Sequence, residues 1–224
     1  MKQHNSCHLG DCLEIMSDIA DKSIDMILCD LPYAKTACKW DKIIPVDILW
    51  EQYKRVIKNN GAIVLTAQQP FASMLISSNL KWFKYEWIWN KQIGNGFVLA
   101  KVKPLAIHEN ILIFCNGTLL YNPQMTKTPL DKKRKVSNKS SWKCGKTLST
   151  KSGMTKPSLN YNPDLRFPTT LLTYNSKLNE CNPVCRIHPT QKPVALFEYL
   201  IKTYTNEKDI VLDNCAGSFT TAIA

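Results

Sequence analysis

The chain alternates between runs that are apolar almost throughout and segments where apolar positions recur every three or four residues. "SIDMILCD", Ser23 to Asp30, is mostly apolar and does not alternate. That pattern predicts a strand buried on both faces, as in a parallel sheet. "AIVLTA", Ala62 to Ala67, reads the same way, and "DIVLDNCAGS", Asp209 to Ser218, predicts a third such strand running into a glycine turn. Helical spacing appears before the first strand, at Leu13, Met16 and Ile19 or Ala20. It appears after it at Leu49, Tyr53, Val56 and Ile57, where Asn60-Gly61 predicts a left-handed cap. "QPFASMLISSNL" predicts a short helix with Pro70 near its first turn. The aromatic stretch Lys81 to Lys91 and "ENILIFCNG", Glu109 to Gly117, predict two more strands. "KPVALFEYLIKTYT" predicts a helix opened by Pro193, with Val194, Phe197, Ile201 and Tyr204 on one face. Strand and helix in this order predict a doubly wound α/β sheet.

The order breaks between Thr126 and Lys156, where ten Lys or Arg accompany one acid, Asp131. Two readings stand for this basic insertion: a solvated linker, or a surface that neutralises phosphates. The whole chain of 224 residues carries a net charge of +11, which favours a polyanionic partner, nucleic acid before an anionic membrane. No apolar run reaches the roughly 20 residues of a membrane span. The start, "MKQHNSCHLGD", lacks the apolar stretch of a secretory signal, so the expected setting is the cytoplasm. Nine scattered cysteines, several inside apolar runs (Cys29, Cys115, Cys215), read as reduced thiols. Cys181, Cys185 and His188 have a spacing zinc uses, but with no clear fourth ligand and prolines between them no metal is expected.

Three short motifs carry chemistry. "DLPY" places Asp30, Leu31, Pro32 and Tyr33 at a strand's carboxyl end, the edge where open α/β sheets bind ligands. Asp30 and the carbonyl of Leu31 offer two acceptors, and Tyr33 offers a flat ring. That set suits an exocyclic amine on a flat heterocycle; an ordinary Asp–Pro turn at a strand end has the same residues. "LDNCAGS" ends another strand with Asp213 and a turn whose Gly217 lets backbone approach a ligand closely. "HPTQKP", His188 to Pro193, opens the following helix and is the most specific of the three.

Together and in this order, the motifs resemble the amino-methylating DNA methyltransferases of the N6-adenine/N4-cytosine class, in its circularly permuted β group. "GDCLEIM" near the start, "WNK" (89–91), "HEN" (108–110) and "DLPY…KWD" extend the likeness over nearly the whole chain, closest to phage-type and orphan members. The resemblance implies a Rossmann-like sheet, S-adenosylmethionine as cofactor and double-stranded DNA as partner. It implies that Asp30 and the Leu31 carbonyl hold the target amino group while Tyr33 stacks on a flipped base. It implies cofactor contacts from Asp11, Cys12, Asp30, His188, Thr190, Lys192, Asp213, Cys215, Ala216, Gly217 and Ser218, with His188, Thr190 and Lys192 at the methionine end. DNA contacts are expected from Trp40, after the "DLPY" turn, and, on the phosphate-neutralising reading of the basic insertion, from Lys132, Lys133, Arg134 and Lys135.

Asp at position 30 favours adenine N6 over cytosine N4, and both stay open beside a catalytically silent DNA-binding remnant. Phe219 stands where the family's cofactor motif has its second glycine, and Cys215 where it has phenylalanine. Family members continue past the equivalent of Ala224 with one more strand that binds the ribose, so a sheet short of one strand and a weakened hold on cofactor are expected. The expected divisions are a catalytic half over 1–117, a target-recognition insertion over 118–183, and a cofactor segment over 184–224 completing the first domain. Of the aromatics, Trp82, Trp87, Trp89 and Phe97 read as core. Trp40 and the glycine-bearing stretch Ile93 to Lys101 read as substrate-facing loops.

Overall fold

The computed structural model describes residues 5–34, 41–128, 162, 164–175 and 191–224. Its larger unit comprises Met1–Asn122 with Thr169–Ala224. There, α1 (Cys12–Ser17), β1 (Ile24–Asp30), α2 (Val46–Val56), β2 (Ile57–Ala67), α3 (Phe71–Ser78), β3 (Phe83–Asn95) and β4 (Ala106–Phe114) follow in order. The smaller unit, Pro123–Pro168, holds a two-stranded ribbon of β5 (Thr126–Lys127) and β6 (Leu165–Arg166). Then β7 (Leu171–Thr173), α4 (Val194–Tyr204), β8 (Val211–Leu212) and α5 (Thr220–Ile223) complete the larger unit.

One sheet orders its strands β7-β3-β4-β2-β1-β8. β1 runs parallel to β2 and to β8, and β3 parallel to β7, while β4 is antiparallel to both of its neighbours. The predicted α/β sheet is therefore present, with a β3–β4 antiparallel pair in place of a crossover. Both faces are buried, which explains the unbroken apolar runs. Ile27, Cys29, Ile63 and Leu65 point into a core shared with α2 and α3. Their neighbours Met26, Leu28, Ala62 and Val64 point into a second core with Trp87, Trp89 and α4.

Two local predictions need correction. Asn60-Gly61 does not cap α2, which ends at Val56; Ile57 already belongs to β2. Ile24 pairs with Ile57 and Met26 with Ala62, so residues 58–61 form a bulge within β2. Gly61 is needed there because a Cβ would meet the Asp25 carbonyl oxygen at 2.6 Å. On α4 the buried face is Leu196, Phe197, Leu200, Thr203 and Tyr204, rotated from the predicted one. The helix is apolar on too many sides for spacing to decide. Its orientation follows Tyr204, whose hydroxyl accepts from Trp87 Nε1 at 2.6 Å and hydrogen-bonds the Tyr85 hydroxyl at 3.0 Å.

Trp82, Trp87 and Trp89 are buried as expected. The β3–β4 connection instead exposes Phe97 and Val98 on a single 3₁₀ turn.

Candidate active site

A row of polar side chains crosses the sheet at the edge where β1 and β2 end. Asp30, last residue of β1, pairs with Thr66 of β2, and Ala67 beside it pairs with Asn110 of β4, next to Glu109. Glu109 in turn pairs with Trp89 of β3, two residues before Lys91. Each residue interrupts or ends an apolar strand, and each finds a partner in the row.

Asp30 is the hub. Its Oδ1 accepts short hydrogen bonds from the Tyr33 and Thr66 hydroxyls. Its Oδ2 accepts from Lys192 Nζ at 2.7 Å. The same ammonium lies 3.4 Å from Glu109 Oε2 and 3.4 Å from the Tyr33 hydroxyl. Glu109 Oε1 accepts from Lys91 Nζ at 3.1 Å and from Gln68 Nε2 at 2.9 Å. Two carboxylates and two ammoniums thus alternate and balance. Burial alone favours the neutral forms. For Glu109 it is outweighed by Lys192, Lys91 and the Gln68 amide, which hold the carboxyl below its usual value. For Lys192 it is outweighed by Asp30, Tyr33 and Glu109, which hold the ammonium well above the usual lysine value. Both stay ionised at neutral pH.

Leu31 is buried, and the Tyr33 ring packs on Phe71 with centroids 5.5 Å apart. Ala34 adopts φ 55°, and its N–H donates to Asp41 Oδ1 at 2.8 Å, which fixes the turn after the motif. Burial raises the Tyr33 phenol well above its ordinary value, so it acts as a donor.

The second predicted motif lies on the same edge. β8 pairs with β1 through Met26–Val211 and Ile27–Leu212, so Asp213 emerges beside β1's carboxyl end. Asp213 accepts from the Cys215 N–H at 3.0 Å and from the Thr221 hydroxyl, yet burial keeps its carboxyl above the usual range. Gly217 takes φ 50°. Phe219 takes φ 58° with its side chain largely exposed, so the backbone adopts a glycine-like conformation despite the substitution. Asp11 caps α1 by accepting from Leu13 N at 2.8 Å. Cys12 follows it, and the neighbouring Cys215 thiol, with burial, raises its own thiol far up. Burial pushes Cys29 up to about 11, so both are thiols, not thiolates, at neutral pH. Tyr53 donates to Asn214 Oδ1 at 2.6 Å and anchors the turn to α2.

Asp30, Leu31, Tyr33, Asp11, Cys12, Asp213, Cys215 and Gly217 therefore gather at one edge. Lys192, expected at the methionine end of a cofactor, has its ammonium on Asp30. Its carbonyl lies 3.5 Å from the Thr220 hydroxyl after the glycine turn. Trp40, Lys132, Lys133, Arg134, Lys135, Cys181, Cys185, His188 and Thr190 lie outside the described residues. Lys91 and Glu109 lie in "WNK" and "HEN", but neither motif by itself marks them as site residues, and nothing in the sequence marks Thr66 or Gln68. The available signal was a charge one asparagine away from the apolar runs "WIW" and "ILIF".

The fold is shared with solved DNA methyltransferases. The solved structure of PvuII DNA methyltransferase, described as cytosine-N4-specific, superposes with a TM-score of 0.63 over 96% of this chain and 76% of that one, at 16% identity. M1.HpyAVI in its SAM complex superposes at 0.57 over 96% and 85%, at 22% identity. The sequence model of the N6/N4 DNA methylase family matches residues 24–224, and the chain belongs to that family. Curated relatives include Type II methyltransferase M.HpaI of Haemophilus parainfluenzae, 25% identical over 94% of this chain and 63% of that protein. M1.MboII of Moraxella bovis is 26% identical over 100% and 88%, and DNA adenine methyltransferase YhdJ of Escherichia coli 27% over 95% and 71%. The chain thus spans under two thirds of M.HpaI and most of M1.MboII. No helix among the described residues is long and apolar enough to cross a membrane.

Proposed function

We propose that the chain methylates the N6 amino group of adenine in double-stranded DNA, with S-adenosylmethionine as methyl donor. The observation that carries this reading is the placement of Asp30 and Tyr33 on the same sheet edge as the Asp213–Gly217 turn. Family membership supports the methyl transfer, and YhdJ's description as an adenine enzyme supports the base.

The residues present suit that cofactor. A Cβ added at Gly217 would meet only the Cys215 carbonyl oxygen, at 3.8 Å, so the turn presents open space next to Asp213. Asp11 and Asp213 add carboxyl oxygens at this edge that can accept from an α-ammonium or hydroxyl groups. When bound, S-adenosylmethionine supplies an electrophilic methyl group.

The chain's own work is positioning. Asp30 accepts a hydrogen bond from the target amine and draws electron density onto a nitrogen whose lone pair is otherwise delocalised into the ring. Tyr33, backed by Phe71, offers the ring against which a flipped base stacks. Holding the amine in line with the methyl supplies most of the acceleration. The carboxylate stabilises the positive charge that develops on the nitrogen. Full deprotonation by Asp30 is not required, because the methylated amine loses its proton readily. We assign phosphate contacts to Lys132, Lys133, Arg134 and Lys135, and a substrate-facing role to Trp40, on charge and motif position alone.

The test is transfer of a labelled methyl group to DNA followed by nucleoside analysis. N6-methyladenine is expected. N4-methylcytosine would move the assignment to cytosine, and DNA binding without transfer would favour a silent remnant.

A further inference from the structure

The carboxylate meant to receive a substrate amine is already occupied. Both Asp30 oxygens accept protein donors: Tyr33 and Thr66 on Oδ1, Lys192 on Oδ2. A lysine ammonium in that position mimics the amine that Asp30 would hold. It also neutralises the charge that should stabilise a developing cation. For Asp30 to act, the ammonium has to leave Oδ2. Lys192 is buried, and a cation moved through a buried site without a partner loses both its hydration and its counter-charge. The departure therefore needs a prepared acceptor.

Glu109 provides one. Its Oε1 is fully engaged by Lys91 and Gln68, whereas its Oε2 is buried and has no hydrogen-bond partner among the described residues. That orphaned oxygen lies 3.4 Å from Lys192 Nζ, too long for a good charge-assisted hydrogen bond. A movement of roughly half an ångström would bring the ammonium to the usual distance of about 2.8 Å. An anionic buried oxygen without a donor is otherwise costly, and this one is aimed at the only cation shared with Asp30 among the described residues.

We propose that Glu109 is a positioning residue that receives the Lys192 ammonium when the target amine engages Asp30, so that the lysine vacates Oδ2 without leaving the buried row. Lys91 and Gln68 hold Glu109 in register to take it. The idea rests on the methyltransferase reading for its purpose, though not for its geometry. Lys192 stays protonated throughout. It acts as a movable counter-charge that masks Asp30 before the base arrives and unmasks it afterwards.

Two measurements test this. In a crystal structure of the Asp30→Asn variant, which takes away the competing charge, Lys192 Nζ is expected within hydrogen-bond distance of Glu109 Oε2. An ammonium that stays on residue 30 or turns to solvent would overturn the proposal. The second is a double-mutant cycle on single-turnover methyl transfer, with cofactor affinity measured alongside. Glu109→Gln is expected to slow transfer about tenfold or more while cofactor affinity changes by less than about twofold. In a Lys192→Met background the same change should cost less than about twofold, because no ammonium needs a destination. Full additivity would mean that Glu109 acts independently of Lys192 and would sink the idea. Glu109→Asp should recover part of the loss, which a general folding defect would not predict. Absence of transfer by the unaltered chain would count against the methyltransferase reading, and the Asp30→Asn structure would still decide this one.

Discussion

Tyr33 and Asp30, on either side of the Leu31-Pro32 turn, are joined by a hydrogen bond from the phenol to the carboxylate. The ring that would meet a base is therefore also a ligand of the group that would hold its amine. Tyr33→Phe separates the two roles. Losing a hydrogen bond to a charged acceptor costs about 1.5–3 kcal/mol, so kcat is expected to fall about ten- to a hundredfold with little change in KM for DNA. Tyr33→Ala also loses the stacking face, worth about 1–3 kcal/mol, and should raise KM as well. Steady-state kinetics on both variants checks the split.

Asp30→Ala should abolish transfer and leave DNA affinity largely intact, because phosphate contacts carry most of the binding. Labelled-methyl transfer and a gel-shift titration at fixed salt read the two effects. Unchanged transfer would remove Asp30 from the catalytic role.

The Glu109 carboxyl is held below its usual value, which ties stability to pH. Burial pushes it up, and Lys192, Lys91 and Gln68 more than offset that. A carboxyl with a depressed folded value stabilises the protein above its unfolded value of about 4.3 and loses that contribution as pH falls through the folded value. Near pH 7, Glu109→Gln is expected to destabilise by about 3 kcal/mol, since it strips a buried partner from two lysines. The gap between variant and unaltered chain should close as pH drops below about 4. Urea unfolding across pH 3 to 7 measures it.

Much of this was legible in the sequence, and the reasons differ by element. β1 and β2 were readable because burial on both faces leaves an apolar run that few other structures require. The α2 boundary was not, because Asn-Gly marks a left-handed cap and a strand bulge equally well; only the pairing of Ile24 with Ile57 and Met26 with Ala62 decides. Asp30 and Asp213 were found because each closes an apolar strand next to a turn residue. Glu109 and Lys91 belong to strands far from Asp30 in sequence. Only the antiparallel β3–β4 register and the approach of Lys192 bring them to it. The position of the Lys192 ammonium was beyond reach for the same reason: its contacts are with residues more than eighty positions away.

The bulge in β2 gives a stability prediction. Gly61 sits where a Cβ would lie 2.6 Å from the Asp25 carbonyl oxygen and 2.8 Å from Ile57 side-chain atoms. The first neighbour is backbone and cannot move cheaply. Gly61→Ala is therefore expected to destabilise by about 1–3 kcal/mol, the usual cost of overpacking. Thermal or urea unfolding should show it, with m unchanged if only the folded state is affected.

Phe219 offers the last test, at the point where the chain departs from its family's glycine. Its φ of 58° lies in the left-handed region, and its N–H is tied back to the Ala216 carbonyl at 2.7 Å, so the turn imposes the conformation. The side chain is substantially exposed and contributes little packing to offset the strain. For residues with a Cβ the left-handed conformation costs about 1–2 kcal/mol, and glycine escapes most of it. Comparing Phe219→Gly with Phe219→Ala isolates this, since both remove the ring. The glycine variant loses up to about 1 kcal/mol through the greater freedom of its unfolded chain, which opposes part of the gain. The expected result is a glycine variant at least as stable as the alanine one, by up to about 1 kcal/mol in denaturant unfolding. An alanine variant clearly more stable than the glycine one would mean that the turn relaxes out of the left-handed region once the ring is gone, and that Phe219 itself, not the fold around it, sets the geometry of the Asp213–Gly217 turn.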